Sequence, residues 1–428
     1  MMIWILLLIL VVLVLLEMPI ALALPASALA YLFIADTVPP MLVVQRVASG
    51  LESYVLLAIP LFILAGNLFN SAGIAARIFD FAVTLVGHIR GSLGHVNIVA
   101  SVIFSGMSGV AQADAAGLGA VEVREMKRHG FSAEFSAAIT AVSSIIGPII
   151  PPSGIMIIYA VLADVSVPDL FLAGIVPGVV MSIVLMGVVY WLAKTGRIDA
   201  PVLPRQKPKD IGVAFWRALP ALLAPVLLIG GILTGYTTPT QLGALTAIYA
   251  IILGFATKDL TMAGLWQAIR ETISTCGVLV FIIAAATPFS AILAIEGVPG
   301  DLARILLSIS DNPLVLLLIV NIALLIFGCV MDTTAILLVA VPVLVPVLTS
   351  MGIDPVHFGL VMVINLLIGT LTPPFGILLF VMTEVAKVEY RALLRQVAPF
   401  YIPLFGFLIL ITYWPSLSLT LPDLVFGR

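Results

Sequence analysis

"GPIIPPSG", Gly147 to Gly154, interrupts an apolar stretch with two adjacent prolines. Proline has no backbone N–H, and its ring collides with the carbonyl four residues back. A helix that runs into Pro151 and Pro152 must therefore unwind. The same frame, glycine, three residues, two prolines, one residue, glycine, returns 222 positions later as "GTLTPPFG", Gly369 to Gly376. The surroundings are those of a membrane protein. The chain has 428 residues, 62% hydrophobic and 10% charged, against about 25% charge in a soluble domain. Apolar runs near the roughly 20 residues that cross a bilayer recur throughout, and they do not alternate as barrel strands would. The net charge of −3 gives no reason to expect nucleic acid.

Working outward from the two breaks, the apolar runs predict spans at 2–16, 19–35 and 53–70. A hairpin of two half-spans follows over 96–121, then a broken span over 132–163. Spans at 168–193, 219–235, 239–256 and 272–295 lead to a second hairpin over 313–350, a second broken span over 354–386 and a last span at 396–414. Met1 to Leu16 lacks a basic leader and a cleavage site, and so reads as a first span rather than a removable signal.

Positive charge orients this layout. Lys127 and Arg128; Lys194, Arg197, Arg205, Lys207, Lys209 and Arg217; Lys258 and Arg270; and Lys387, Arg391 and Arg395 all fall on one side. The positive-inside rule makes that side cytoplasmic and places both termini outside. The first hairpin then enters from the cytoplasm and the second from outside. Residues 1–194 and 218–428 therefore read as inverted repeats joined by a polar linker, 195–217. Each repeat runs arm, hairpin, break: "PLFILAGNLFNSAGIAARIF" (60–79), "FSGMSGVAQADAAGLG" (104–119) and the first double proline; "PFSAILAIEGVPGDLARIL" (288–306), "FGCVMDTTAILLVAVPVLVPV" (327–347) and the second. Gly106 and Gly328 share the 222-residue offset. Inverted repeats with broken helices are a design of secondary transporters.

Unwound backbone at membrane depth is tolerated where it lines a cavity or binds something. Freed carbonyls and hydroxyls suit a hard cation such as Na+, and the N-terminus of a half-helix suits an anion. At the first break the candidate Na+ ligands are Ser105 and Ser108 with the carbonyls from Gly147 through Ile150 to Pro151. At the second they are Thr370 and Thr372 with the carbonyls around Gly328 and Met331. Each hydroxyl has an alternative use, a bond to the carbonyl one turn back. Asp114 and Asp332 are the carboxylates at membrane depth. Each is a candidate for coupling or cargo contact, or an N-cap for the second leg of its hairpin. The cargo-facing set is completed by Pro152, Ser153, Thr333, Thr334 and Pro373. Neither hairpin and neither broken span contains lysine or arginine, so helix ends, hydroxyls and bound cations would have to hold an anionic cargo.

Enzyme readings fit poorly. "GMSG", Gly106 to Gly109, has the G-x-S-G form of an intramembrane serine protease, but that chemistry needs a histidine base. His88, His95, His129 and His357 all fall near span ends. Neither aspartate has the G-x-G-D context of an aspartyl protease, and no Walker motif is present. Cys276 and Cys329 lie in apolar runs and read as buried thiols.

"FSGMSGVAQADAAGLGAVEV", "GPIIPPSGIMIIYA", "TGYTTPTQLGALTAIYA", "CVMDTTAILLVAVPVLVPV" and "GLVMVINLLIGTLTPPFGILLFVM" together resemble the large membrane subunit (DctM-like) of the tripartite ATP-independent periplasmic transporters, over essentially the whole chain. Val110 and Gln112 depart from the serine and the small or apolar residue that relatives often carry there. The resemblance implies an all-α, multi-pass, elevator-type transporter of the bacterial inner membrane, and no enzyme. It implies Na+-coupled import of a small organic acid. The implied partners are a small four-helix membrane subunit (DctQ-like), expected as a separate chain, and a periplasmic substrate-binding protein (DctP-like). It places Na+ between hairpin tips and breaks, with Ser105 and Ser108 against 147–151, and Gly328 and Met331 against Thr370 and Thr372. A stand-alone sodium/carboxylate symporter of related design is the alternative reading.

Overall fold

The computed structural model describes residues 3–35, 39–52, 54–199, 201–234 and 237–427, without the side chains of residues 3, 4, 15, 106–108 and 234. The expected span ends at residues 2, 53 and 235 lie outside the described residues, and so does the Ser108 side chain assigned to a cation site. All regular structure among the described residues is helical.

Helices α1 (Ile3–Leu15) and α2 (Ile20–Ala35) pack together, followed by α3 (Met41–Leu51). A 3-10 turn, Tyr54–Leu57, leads into α4 (Ala58–Ser71). Gly73, at φ +62°, then turns the chain into α5 (Ile74–Val86). The first hairpin is α6 (Leu93–Ser108) followed by α7 (Ala111–Ala116) and α8 (Leu118–Arg128). Helices α9 (Ala133–Ser144) and α10 (Gly154–Ala163) are the halves of the first broken span, and α11 (Val167–Lys194) follows. Next come α12 (Pro208–Thr234), α13 (Pro239–Ala256), α14 (Met262–Ile295) and α15 (Val298–Ile309). The second hairpin is α16 (Pro313–Gly328) and α17 (Thr333–Ser350), and the second broken span is α18 (Pro355–Gly369) and α19 (Ile377–Ala386). Helices α20 (Tyr390–Tyr413) and α21 (Ser416–Phe426) end the chain.

Local chemistry sets many of these starts. Ser132 accepts from Phe135 N at 3.1 Å and Ser166 from Asp169 N at 3.3 Å. Thr238 and Gln241 form a reciprocal capping box. Asn312 and Asp354 each cap a helix that opens with proline, whose missing N–H is no loss in a first turn.

Seven segments among the described residues are long and apolar enough to cross a bilayer: the 3-10 turn with α4, then α11, α12, α13, α14, α17 and α20. The structure departs from the predicted layout at α12, at α17 and at four short helices. Helix α12 begins at Pro208, inside the stretch expected as linker, because Pro208 opens it and Asp210 sits in its positive first turn. Helix α17, with 18 residues, is about 27 Å long, more than the half-span expected of a hairpin leg. The amphipathic helices α3, α5 and α15 and the C-terminal α21 fall outside every predicted span. The apolar stripes of α3, α5 and α15 are too narrow to register as continuous hydrophobic runs, and α21 has only 11 residues.

Helices α2, α3 and α4 pack on α14, with α13 against α4, while α5 and α12 lean on α6. The broken spans lie at the centre. Residues 135–153 and 356–371 are buried without exception. That is the only setting at this depth in which bare backbone is stable, since lipid supplies no hydrogen-bond partner. Outward-facing side chains are apolar, as with Ile402 at 82% exposure and Ile273 at 65%.

Candidate functional site

Each double proline ends a helix for a reason that can be counted in hydrogen bonds. The donors that would serve the Gly147 and Pro148 carbonyls are Pro151 and Pro152, which have none. The corresponding losses downstream fall on Gly369 and Thr370, opposite Pro373 and Pro374. Both Pro–Pro bonds are cis. Among the described residues, the carbonyls of Gly147, Ile150 and Pro151 accept no backbone N–H. The second break is better satisfied: Leu378 N donates to the Thr370 carbonyl at 3.1 Å, and Tyr401 Oη to Leu371 at 2.6 Å. Tyr390 Oη donates to Phe375 at 3.0 Å. Each break thus joins a helix C-terminus (α9, α18) to a helix N-terminus (α10, α19). Partial negative and partial positive charge meet at one unwound turn.

The hairpin tips sit on these turns. Gly109, at φ +64°, lies so close to the first break that a Cβ there would overlap the Pro152 carbonyl oxygen and stand 3.2 Å from Ser153 Cα. At the second break Gly328 and Gly369 touch backbone to backbone. A Cβ on Gly369 would lie 2.7 Å from the Gly328 carbonyl carbon and 2.8 Å from its Cα. Gly376 N also donates to the Cys329 carbonyl at 3.4 Å. The halves cross over as well: α10 packs on α17, and α19 on α7.

Ser105 is fully buried and donates to the Val102 carbonyl at 2.6 Å. Thr370 donates to Leu367 at 2.6 Å and Thr372 to Ile368 at 2.8 Å. These are the one-turn-back bonds open to any membrane Ser or Thr. They consume the proton and leave both oxygen lone pairs, so back-bonding and cation ligation are compatible. The carbonyls of Gly328 and Met331 accept no backbone N–H among the described residues.

The two aspartates part company. Asp332 is exposed and is the N-cap of α17, its Oδ1 accepting from Thr334 N at 2.8 Å. Asp114 is not the N-cap residue of its helix: α7 starts one turn earlier, at Ala111, with Val110 as N-cap and Asp114 in its first turn. Its carboxylate is 1% exposed and lies directly against Gly147, where a Cβ would overlap Oδ2. Ser153 caps α10, accepting from Met156 N at 3.3 Å, and is buried. Thr333 and Thr334 are buried in the first turn of α17, and Pro373 is half-buried. The first break is sealed, whereas Pro374 and Phe375 of the second are exposed.

Sequence reasoning missed the polar side chains that hold hairpin to break. Asn97 on α6 donates to Thr140 on α9 at 2.7 Å and accepts from Ser143 at 2.5 Å. In the second half Asn365 on α18 donates to the Asn321 side chain on α16 at 2.8 Å, and Asn321 donates to Thr412 at 2.9 Å. Glu122 is also buried, at 1%, beside Asp114, Thr140 and Asn97, and its Oε1 meets no donor among the described residues. The available signal was an amide or carboxylate within an apolar helix. A cavity of about 70 Å³ lies against the first tip, between Asn67 and Asn70 of α4, Val110, Ala113 and Thr275 of α14.

The chain is similar to known proteins over most of its length. Residues 7–417 match the family model described as "Tripartite ATP-independent periplasmic transporter, DctM component". The sialic acid TRAP transporter large permease protein SiaM of Vibrio cholerae is 44% identical over 401 residues, 94% of this chain and 93% of that protein. The C4-dicarboxylate TRAP transporter large permease protein DctM of Pseudomonas aeruginosa is 37% identical over 393 residues, 92% and 91% of the two chains. The crystal structure of the Alcanivorax borkumensis YdaH transporter superposes with a TM-score of 0.59 over 87% of each chain at 13% identity, a likeness of fold alone.

Proposed function

This chain belongs to the DctM component family of the tripartite ATP-independent periplasmic transporters, and on that premise we propose that it imports a small organic acid by Na+ symport. As a large permease of this family it is a multi-pass inner-membrane transport subunit rather than an enzyme, working with a small membrane subunit and a periplasmic binding protein. The observation that carries the Na+ proposal is the seating of each hairpin tip on a proline break, at Gly109–Pro152 and at Gly328–Gly369. One cation site lies at each contact. Ser105, Ser108, Gly147, Ile150 and Pro151 form the first; Gly328, Met331, Thr370 and Thr372 form the second. Cation binding draws tip and break together, and this order favours anion capture at the N-termini of α10 and α19.

The cargo is a carboxylate. The relatives named for sialic acid and for C4-dicarboxylates carry acids, and no lysine or arginine occurs in 96–121, 132–163, 313–350 or 354–386. Asp114, Pro152, Ser153, Asp332, Thr333, Thr334 and Pro373 border the cargo. The repeats divide at 195–217, with 1–194 and 218–428 in opposite orientation, and the crossed packing of α10 on α17 and α19 on α7 supports this pairing. The test is reconstitution with both partners. Uptake of the acid held by the cognate binding protein should follow an inward Na+ gradient, and equal uptake in Na+-free buffer would overturn the proposal.

A further inference from the structure

A groove of about 640 Å³ runs along the outer face of the molecule between α11 and α20. Its walls are apolar and include Val184, Val188, Ile402 and Pro403. It is wide because its floor is small: Gly187 on one helix faces the stretch of Ala398 and Pro399 on the other. One end is different in kind. Arg197, just beyond α11, and Arg395, in the second turn of α20, both line the mouth. The Arg197 guanidinium lies 4.6 Å from the ring centroid of Trp191, which also lines the groove. Both arginines are exposed, and neither has a carboxylate ion-pair partner among the described residues.

These features together fit an amphiphile. Lys194, Arg391 and Arg395 mark this end as the basic, cytoplasmic end of both helices. A tryptophan with an arginine over it is characteristic of the headgroup level. From Arg395 to Pro403 the helix rises about 12 Å into the apolar layer, so the groove leads from headgroup depth into the acyl region. Two guanidiniums with free forks match the oxygens of a phosphodiester better than a single ammonium would. Basic pockets between helices on the cytoplasmic side bind anionic headgroups. A lipid without net negative charge would leave the two arginine charges uncompensated.

We propose that the α11–α20 groove is a binding site for one anionic phospholipid, its phosphate held between Arg197 and Arg395 and one acyl chain lying along Gly187 and Ala398. The ligand is a lipid of the cytoplasmic leaflet and not the transported acid, so the site stands or falls independently of the cargo.

The experiment is native mass spectrometry of the delipidated full chain with dioleoyl phosphatidylglycerol, with phosphatidylcholine of the same tails, and with inorganic phosphate as competitor. The wild type should retain phosphatidylglycerol at least tenfold better than phosphatidylcholine, with no displacement by millimolar phosphate. Replacing both guanidiniums, R197Q/R395Q, should weaken phosphatidylglycerol by roughly thirtyfold, the effect of two surface arginines on an anionic lipid. A Cβ on Gly187 meets open space, so Gly187→Leu should fill the groove, lose both lipids and keep the wild-type melting transition. In complex with the small subunit the lipid adduct should persist. Equal retention of the two lipids, displacement by phosphate, unchanged binding in R197Q/R395Q, or a folded Gly187→Leu that still carries lipid would each overturn the site. Loss of the adduct on adding the small subunit would assign the groove to a protein partner instead.

Discussion

Gly369→Ala tests the tip-on-break contact at its tightest point. The new Cβ would stand 2.7 Å from the Gly328 carbonyl carbon, 2.8 Å from its Cα and 3.1 Å from its oxygen. Carbon atoms rest at roughly 3.5–4.0 Å, so the two backbones must part by about 1 Å. Both atoms met are main chain, and no rotamer change can relieve the overlap. Overpacking of this kind costs about 1–3 kcal/mol. If Na+ binding requires tip and break to touch, that cost is charged to the Na+-bound state, and the Na+ concentration for half-maximal uptake rises by roughly 5-fold to 150-fold. Gly328→Ala is the matched control. Its Cβ lies 3.3 Å from Gly369 Cα and 3.5 Å from Leu366 Cα, so the neighbours yield by only a few tenths of an ångström and the shift should stay within a few-fold. The assay is uptake into proteoliposomes against a series of Na+ concentrations at constant ionic strength, with melting curves alongside. Equal Na+ dependence in Gly369→Ala and Gly328→Ala would refute the contact as the cation site.

Three further perturbations separate structural from functional roles. Thr372→Val keeps the shape and removes the hydroxyl that donates to Ile368. It should cost about 1 kcal/mol of stability yet weaken Na+ dependence more than tenfold, and an unchanged Na+ titration would exclude Thr372 from the site. Asp332→Ser preserves an N-cap oxygen for α17 whereas Asp332→Ala removes it at about 1 kcal/mol; if melting recovers with serine but uptake does not, the charge acts on ions or cargo, and full recovery of uptake would leave capping as its whole role. Asn321→Leu and Asn365→Leu each strand a buried partner and should lower stability by about 1–3 kcal/mol. The double variant should cost less than their sum, since the pair is removed together; strict additivity in thermal unfolding would show that the two amides do not act as a unit.

The breaks were legible because proline subtracts a donor at a fixed offset, a rule that no tertiary contact can override. Hairpin tips were legible for a related reason: glycines such as Gly109 and Gly328 sit where backbone meets backbone, and a side chain would not fit. Other features depend on partners far apart in sequence. Asp114 and Asp332 have similar local surroundings, yet one lies against Gly147 and the other caps α17. The difference comes from α7 starting at Ala111, a matter of how the first tip packs on the first break. Asn97 and Thr140, or Asn321 and Asn365, are single polar residues in apolar runs until the fold pairs them. The amphipathic α3, α5 and α15 escaped because hydropathy over a bilayer-length window averages their two faces away.

The most direct measurement is thermal unfolding of the purified permease titrated with NaCl or KCl at matched ionic strength. A ligand that binds only the folded state stabilises it by about 2.7 kcal/mol at one hundred times its dissociation constant. Tip-on-break sites built from carbonyls and hydroxyls should give a saturable rise in melting temperature with Na+ and little with K+, a rise that Gly369→Ala diminishes. Superimposed Na+ and K+ titrations of the wild type would contradict cation binding at the breaks.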